Sequence, residues 1–176
     1  MINSFSAYLS GYIYRNNERG HVSKEVMQFA LIGIFTNGIT ILLSLLIGLT
    51  IGKFQEACIT VAALAALRLL AGGRHLTSPE VCIIVSAATI TAIPFIPVSD
   101  ILIYIMSIVS AILIWIYAPV DMKEKTRISD RSLLIMKYSG MALVLSNLLI
   151  LSGILSVSWF IASLTLISFK GGESHD

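Results

Sequence analysis

The amino-acid sequence predicts an all-α polytopic membrane protein with about six transmembrane helices and an N-terminal amphipathic helix that lies in the membrane interface. Hydrophobic residues make up 56% of the 176 residues and charged residues only 12%, whereas soluble domains carry roughly 25% charged residues. The mean hydropathy is +0.88. The apolar residues form six runs, each close to the roughly 20 residues that a helix needs to cross a bilayer. Most basic residues fall in alternate links between these runs, as is typical of membrane proteins.

The first predicted segment comprises residues 1–27 and is expected to be cytoplasmic and amphipathic. Polar residues interrupt and follow its apolar ones, so the segment is too short and too broken to span a bilayer. No basic region precedes an apolar run here, so we expect no cleavable signal peptide. The apolar residues that recur at helical spacing are Phe5, Tyr8, Leu9, Tyr12 and Ile13.

The predicted transmembrane domain covers residues 28–170, and residues 171–176 form a polar tail. Pro94 and Pro97 either kink the third span or mark its exit from the membrane. Four aromatic residues near span ends are interpreted as interfacial anchors, namely Trp115, Tyr117, Trp159 and Phe169. The six spans are placed at residues 28–50, 54–72, 80–98, 101–118, 133–152 and 154–170.

The distribution of basic residues predicts the orientation of the chain. If the six spans alternate, eleven of the twelve Lys and Arg residues fall on one side and only Lys53 on the other. By the positive-inside rule, the basic side is the cytoplasm. We therefore expect both termini, and the link between the second and third spans, to be cytoplasmic. The net charge of +2 is too small to indicate a nucleic-acid partner.

The stretch Arg68 to Ser86 is the most polar break between two long apolar runs. Gly72 and Gly73 are expected to end the preceding helix, because glycine accepts left-handed backbone angles without steric cost. His75 follows them at the start of the polar link. The stretch therefore separates two helices and carries most of the chemically versatile side chains.

Two alternatives describe how the next helix begins. Thr77 and Glu80 have the spacing of a capping box, and Ser78 followed by Pro79 at the first helical position is an equally good start. Either start puts Cys82 in or near the first turn. The partial positive charge of a helix N-terminus stabilises a thiolate there.

His75 and Cys82 lie seven residues apart, close enough for the imidazole to reach the sulfur. A histidine together with a helix N-terminus is a recognised way to activate a thiol. The alternative is that Cys82 is a small apolar residue of the core and His75 a solvated loop residue. Arg68 and Arg74 on either side of the glycines favour the chemical interpretation.

The arrangement A-G-G-R-H-x6-C, preceded by Arg68 and followed by A-P-V-D-M-K-E-K at residues 118–125, resembles the accessory gene regulator protein B (AgrB) family of Gram-positive quorum-sensing systems. The resemblance implies a cysteine endopeptidase in the bacterial cell membrane, with Cys82 and His75 as the catalytic pair. It also implies an AgrD-like precursor peptide as substrate. In that family the cut gives an acyl-enzyme thioester, and a cysteine of the precursor displaces the enzyme to form a cyclic thiolactone.

Further residues are candidates for binding the oxyanion or the substrate, and the amides of the helix N-terminus are alternative oxyanion donors. These residues are Arg68, Gly73, Arg74, Ser86, Lys123 and Lys125. The lysines belong to a basic loop that would attract anionic lipid or an acidic peptide. Glu80 is explained by capping, so we expect a Cys–His dyad. We expect no metal and no cofactor, because the histidine and the two separated cysteines do not make a zinc site.

A small membrane transport or assembly subunit is the alternative function, with Cys82 and His75 only packing and capping. A transporter should bury ionisable residues in mid-span, whereas the predicted spans hold Ser, Thr and Asn147 there. A lipid-modifying transferase is a third alternative, but it lacks an acidic metal-binding motif. Small residues permit close helix packing within one chain or in a homodimer, at Ala62, Ala63, Ala65 and Ala66.

Overall fold

The computed structural model describes residues 1–16, 22–73, 78–119 and 129–167, and within them the fold is all-α. The helices fall into two compact units, the first built from α1, α2 and α4 and the second from α3 and α5 to α8. A 3-10 turn, Ile93–Phe95, follows α4. The helices are α1 (Ile2–Asn16), α2 (Lys24–Thr50), α3 (Phe54–Ala71), α4 (Pro79–Ala92), α5 (Asp100–Tyr117), α6 (Asp130–Leu145), α7 (Asn147–Ile150) and α8 (Gly153–Leu164).

Four helical stretches of the described residues are long and apolar enough to cross a membrane: α2, α3, α5 and the continuous α6–α7. They correspond to the first, second, fourth and fifth predicted spans, which confirms the all-helical fold and supports a membrane protein. The third and sixth predicted spans are shorter apolar helices, Pro79–Phe95 and Gly153–Leu164. At ~1.5 Å per residue these two fall short of a hydrocarbon core of about 30 Å. Within the described residues the structure therefore supports four spans by length, and the predicted count of about six is not confirmed.

In the first unit, α1 and α2 bury small polar residues and expose large apolar ones. Ser6 and Ser10 of α1 are fully buried, whereas Tyr8 and Tyr12 on its other faces are largely exposed. The buried residues of α2 repeat every fourth position, at Thr36, Thr40, Ser44 and Gly48. Small residues between helices and apolar residues outside are the arrangement that a bilayer favours. The N-terminal helix predicted from the sequence is present, and Phe5 packs edge to face on Phe35 of α2 while the tyrosines stay largely exposed.

The second unit packs around an apolar core. Leu67, Ile114 and Val144 from three different helices are buried in it. Trp159 of α8 is only 3% exposed, and its indole N–H donates to the carbonyl of Ala63 at 3.0 Å. The prediction that Trp159 is an interfacial anchor is therefore wrong. Its position near the end of a predicted span was misleading, because the helix places the side chain towards the core.

The regular helix of α4 ends just before Pro94. This agrees with the second of the two interpretations from the sequence, that the proline marks an exit and not a kink. The α-helix stops at Ala92 and continues as the 3-10 turn Ile93–Phe95. Proline has no backbone N–H and its ring clashes with the preceding turn, so the regular helix cannot continue through it. Residues 96–99 then lead to α5 without regular structure. The proline therefore marks an exit from the helix.

Candidate active site at the start of α4

The start of α4 distinguishes the two caps that the sequence left open. The helix begins at Pro79, and the hydroxyl of Ser78 accepts from the Val81 N–H at 3.5 Å. The Cys82 N–H donates to the Ser78 carbonyl at 3.0 Å. Ser78 is thus the N-cap with proline at the first helical position, which confirms the second alternative. Thr77 of the other alternative lies outside the described residues.

Cys82 sits at the end of the first turn of α4 and is 6% exposed. Its sulfur lies 4.0 Å from the hydroxyl oxygen of Ser86, one turn further along the same helix. The structure therefore brings together two of the candidate residues, the thiol and a hydroxyl. When the sulfur is a thiolate, the Ser86 hydroxyl can donate a charge-assisted hydrogen bond to it.

The amides of this helix start are already used locally. Pro79 has no N–H, and the amides of Val81 and Cys82 point to the side chain and carbonyl of Ser78. Amides that already have acceptors are poor candidates for binding a new oxyanion. The side chain of Ser86 is therefore the better placed donor in this unit.

Glu80 connects the start of α4 to the start of α1, a contact that the sequence did not reveal. One carboxylate oxygen accepts from the N-terminal amine of Met1 at 2.9 Å and from the Ile2 N–H at 3.2 Å. The other oxygen accepts from the Ser78 hydroxyl at 3.1 Å. The N-terminus of α1 attracts a carboxylate because its amides point outwards with a partial positive charge. Residues 78 positions apart in sequence leave no periodic signal that would have predicted the pair.

Arg68 and Gly73 lie at the end of α3, in the second unit. Gly72 and Gly73 have φ values of 80° and 146°, and α3 ends at Ala71 directly before them. The predicted glycine stop is therefore confirmed. A Cβ added to Gly73 would lie 3.0 Å from the hydroxyl oxygen of Thr165 and 3.7 Å from Nε of Arg68. This glycine permits both an unusual backbone angle and a close approach of two side chains.

We expect a Gly73→Ala substitution to destabilise the protein by about 1–3 kcal/mol, the usual cost of a side chain at a positive φ. The new methyl group would also press against Thr165. Thermal unfolding of the purified protein in detergent measures the effect. Gly33→Ala is the matched control, because Gly33 is helical and a Cβ there meets nothing within 4 Å. Equal melting temperatures for the wild type and the Gly73 variant would contradict this expectation.

Four of the predicted site residues lie outside the described residues: His75, Arg74, Lys123 and Lys125. Their roles remain predictions from the sequence. No group of three His, Cys, Asp or Glu side chains that could hold a metal ion occurs within residues 1–16, 22–73, 78–119 and 129–167.

The fold and the motif together define a helical membrane protein with a shielded cysteine in the first turn of a short apolar helix. The model of one family, Accessory gene regulator B, matches residues 6–170. The chain therefore belongs to the AgrB family, which is associated with processing of the agr autoinducer peptide. This match confirms the family that the motif indicated. No curated protein and no solved structure shows a significant match to the chain.

Proposed function

We propose that this protein is a membrane-embedded cysteine endopeptidase that cuts an AgrD-like precursor peptide and promotes its cyclisation to a thiolactone. The observation that carries the proposal is the placement of Cys82 in the first turn of α4 with the Ser86 hydroxyl at 4.0 Å. The family match adds the class of substrate, a small signal precursor. The alternative of a transport or assembly subunit gives the thiol no role.

In the first step His75 takes the proton of the Cys82 thiol, and the thiolate attacks the scissile carbonyl carbon. A histidine base is the usual partner of a catalytic cysteine. The carbonyl oxygen becomes an oxyanion. The Ser86 hydroxyl, 4.0 Å from the Cys82 sulfur, can donate a hydrogen bond to it. The peptide bond then breaks, and His75 returns its proton to the leaving amine.

In the second step a cysteine thiol of the precursor attacks the thioester carbonyl. A new thioester forms within the peptide, the bond to Cys82 breaks, and the enzyme thiol is regenerated. One thioester replaces another, so the exchange needs no energy source. Water would hydrolyse the intermediate to a linear product, and the 6% exposure of Cys82 supports slow access of water.

We treat the catalytic group as a dyad. The carboxylate of Glu80 is the acidic group nearest in sequence, and contacts to Met1, Ile2 and Ser78 already account for its two oxygens. A role in orienting His75 is not needed to explain its position. The hydrogen bonds of Glu80 instead support a role in fixing the start of α4 against α1.

The proposal includes a bacterial cell-membrane location with both termini and the catalytic loop in the cytoplasm. The precursor would then meet the enzyme on the side where it is synthesised. Lys123 and Lys125 are the predicted basic contacts for an acidic part of that peptide. Arg68, Gly73 and Arg74, which belong to the motif, are the other predicted contacts for the substrate or the oxyanion. Ala62 and Ala65 are exposed on α3, which would permit close packing in a homodimer.

Trapping the acyl-enzyme tests this function directly. Purified protein in lipid vesicles is mixed with a cognate precursor whose internal cysteine is changed to serine, which slows the second step. We expect an adduct on Cys82 with the mass of the N-terminal fragment, found by intact-protein and peptide mass spectrometry and released by hydroxylamine. Cys58→Ser should keep the adduct. Cleavage of the native precursor without any adduct on Cys82 would contradict the proposal.

A further inference from the structure

A groove with an entirely apolar wall runs between α5 and α6 in the second unit. Its volume is about 270 Å³. Both helices that form it belong to stretches long and apolar enough to cross a membrane. The residues that line it are Ile108, Ala111, Ile112, Trp115, Ile116, Met141 and Leu145. All of these side chains are apolar or aromatic. The groove therefore suits a hydrocarbon chain.

One end of the groove carries a cation and two aromatic rings. The Lys137 ammonium lies 5.3 Å from the centre of the Trp115 ring. The rings of Trp115 and Tyr138 meet edge to face with 6.1 Å between their centres. Trp115 and Tyr138 are both 53% exposed. An exposed Trp–Tyr–Lys group of this kind is typical of the level at which a helix meets the lipid headgroups.

The position of this group along the helices supports that level. Trp115 lies two residues before the end of α5 at Tyr117, so it is close to the water. The rest of the groove extends from Trp115 back to Ile108, about two helical turns deeper into the span. Most of the groove is therefore apolar and lies within the hydrocarbon region of the bilayer. Its cationic end lies at the level of the lipid headgroups.

We propose that this groove binds one anionic phospholipid, with an acyl chain along the apolar wall and the phosphate beside Lys137. The lysine supplies charge complementarity, and the indole N–H of Trp115 is a second donor at the same end. A peptide strand is a worse occupant, because the apolar wall offers its backbone no hydrogen-bonding partners. Lipid binding here is independent of the thiol chemistry of α4.

Tryptophan fluorescence gives a direct test, because the chain has two tryptophans with very different surroundings. Trp115 is 53% exposed and Trp159 only 3%. The purified full-length protein is placed in phosphatidylcholine vesicles doped with brominated phosphatidylglycerol or brominated phosphatidylcholine, which quench a ring on contact. We expect brominated phosphatidylglycerol to reach half-maximal quenching at an about fivefold lower mole fraction than brominated phosphatidylcholine. This factor corresponds to ~1 kcal/mol, the attraction of an anionic lipid to one interfacial lysine.

Substitutions identify the source of the preference. Lys137→Gln should make the two lipids equal, whereas Lys137→Arg should keep the preference because it keeps the charge. Lys24→Gln is the matched control, because Lys24 starts α2 in the other unit, and it should behave like the wild type. Trp115→Phe should remove most of the quenching. Equal quenching of the wild type by both lipids, an unchanged preference in Lys137→Gln, or strong quenching in Trp115→Phe would overturn the proposal.

Discussion

Replacing Cys82 with alanine is expected to lower precursor cleavage by about 10³-fold or more, because an enzyme without its nucleophile keeps only weak residual catalysis. His75→Ala should cause a loss of similar size, since members of a catalytic group act as a unit and their losses do not add. The double variant should therefore be no worse than either single one. Rates of cleavage by purified variants in vesicles, followed by mass spectrometry of the peptide, measure all three.

Cys58 is the matched control for this prediction. It is the second thiol of the chain, lies in an apolar helix and is partly buried, yet no sequence motif surrounds it. The Cys58→Ala variant should cleave the precursor at a rate within about twofold of the wild-type rate. Substitutions away from a functional site usually have small effects of this kind. Full cleavage by Cys82→Ala would remove the peptidase function and favour the transport or assembly role.

The borders of two of the long helices were predictable from the sequence. The predicted spans 54–72 and 101–118 match α3 and α5, Phe54–Ala71 and Asp100–Tyr117. Both runs are bounded by residues with strong local preferences, such as the Gly72–Gly73 pair that accepts positive φ. Local signals of this kind do not depend on the rest of the fold, so one sequence is enough to find them.

The inward and outward faces of the helices were harder to predict. In a soluble protein the apolar face of α1 would be buried, but here Ser6 and Ser10 are buried and Tyr8 is 70% exposed. Composition assigns the chain to a membrane without saying which face meets another helix. Trp159 shows the same difficulty, because its contact with Ala63 joins residues 96 positions apart. Contacts between residues so far apart in the sequence can be identified only from a three-dimensional structure.

The candidate site was predictable only as far as its motif. The spacing of Ser78, Pro79 and Cys82 indicated the start of α4, and the structure confirms it. The contact of Glu80 with Ile2 was not predictable, because nothing in either local sequence indicates the other. The same contact accounts for an acidic residue two positions before Cys82 in the sequence.

Asn147 is a buried polar residue whose loss should destabilise the fold. It is fully buried at the start of α7. Its amide nitrogen donates to the Ser152 carbonyl at 3.1 Å, and its side-chain oxygen accepts from the Ser152 N–H at 3.0 Å. The nitrogen also lies 3.5 Å from the Ser107 hydroxyl of α5. One side chain thus bonds both backbone groups of the residue that caps α8, and it supplies the acceptor for the Ser152 N–H.

Asn147→Leu should therefore lower the free energy of unfolding by about 1–3 kcal/mol, because the Ser152 N–H loses its acceptor at about that cost. The Ser152 carbonyl keeps a partner, since it also accepts from the Ser156 N–H at 3.0 Å. Leucine has a similar size, so the loss reports hydrogen bonding more than a cavity. Denaturation in detergent, followed by the fluorescence of the buried Trp159, measures the change within the same unit.

Ser146→Ala is the control for the same turn. The Ser146 hydroxyl donates to the Leu143 carbonyl at 2.6 Å, a bond back to its own helix. Removing it exposes no backbone group of another element, so a loss of less than about 0.5 kcal/mol is expected. If Asn147→Leu were as stable as Ser146→Ala, the turn before α8 would be held by its backbone alone. The backbone of Leu151 argues against that outcome. Its φ of 56° is a strained angle for a branched residue, and the surrounding contacts must impose it.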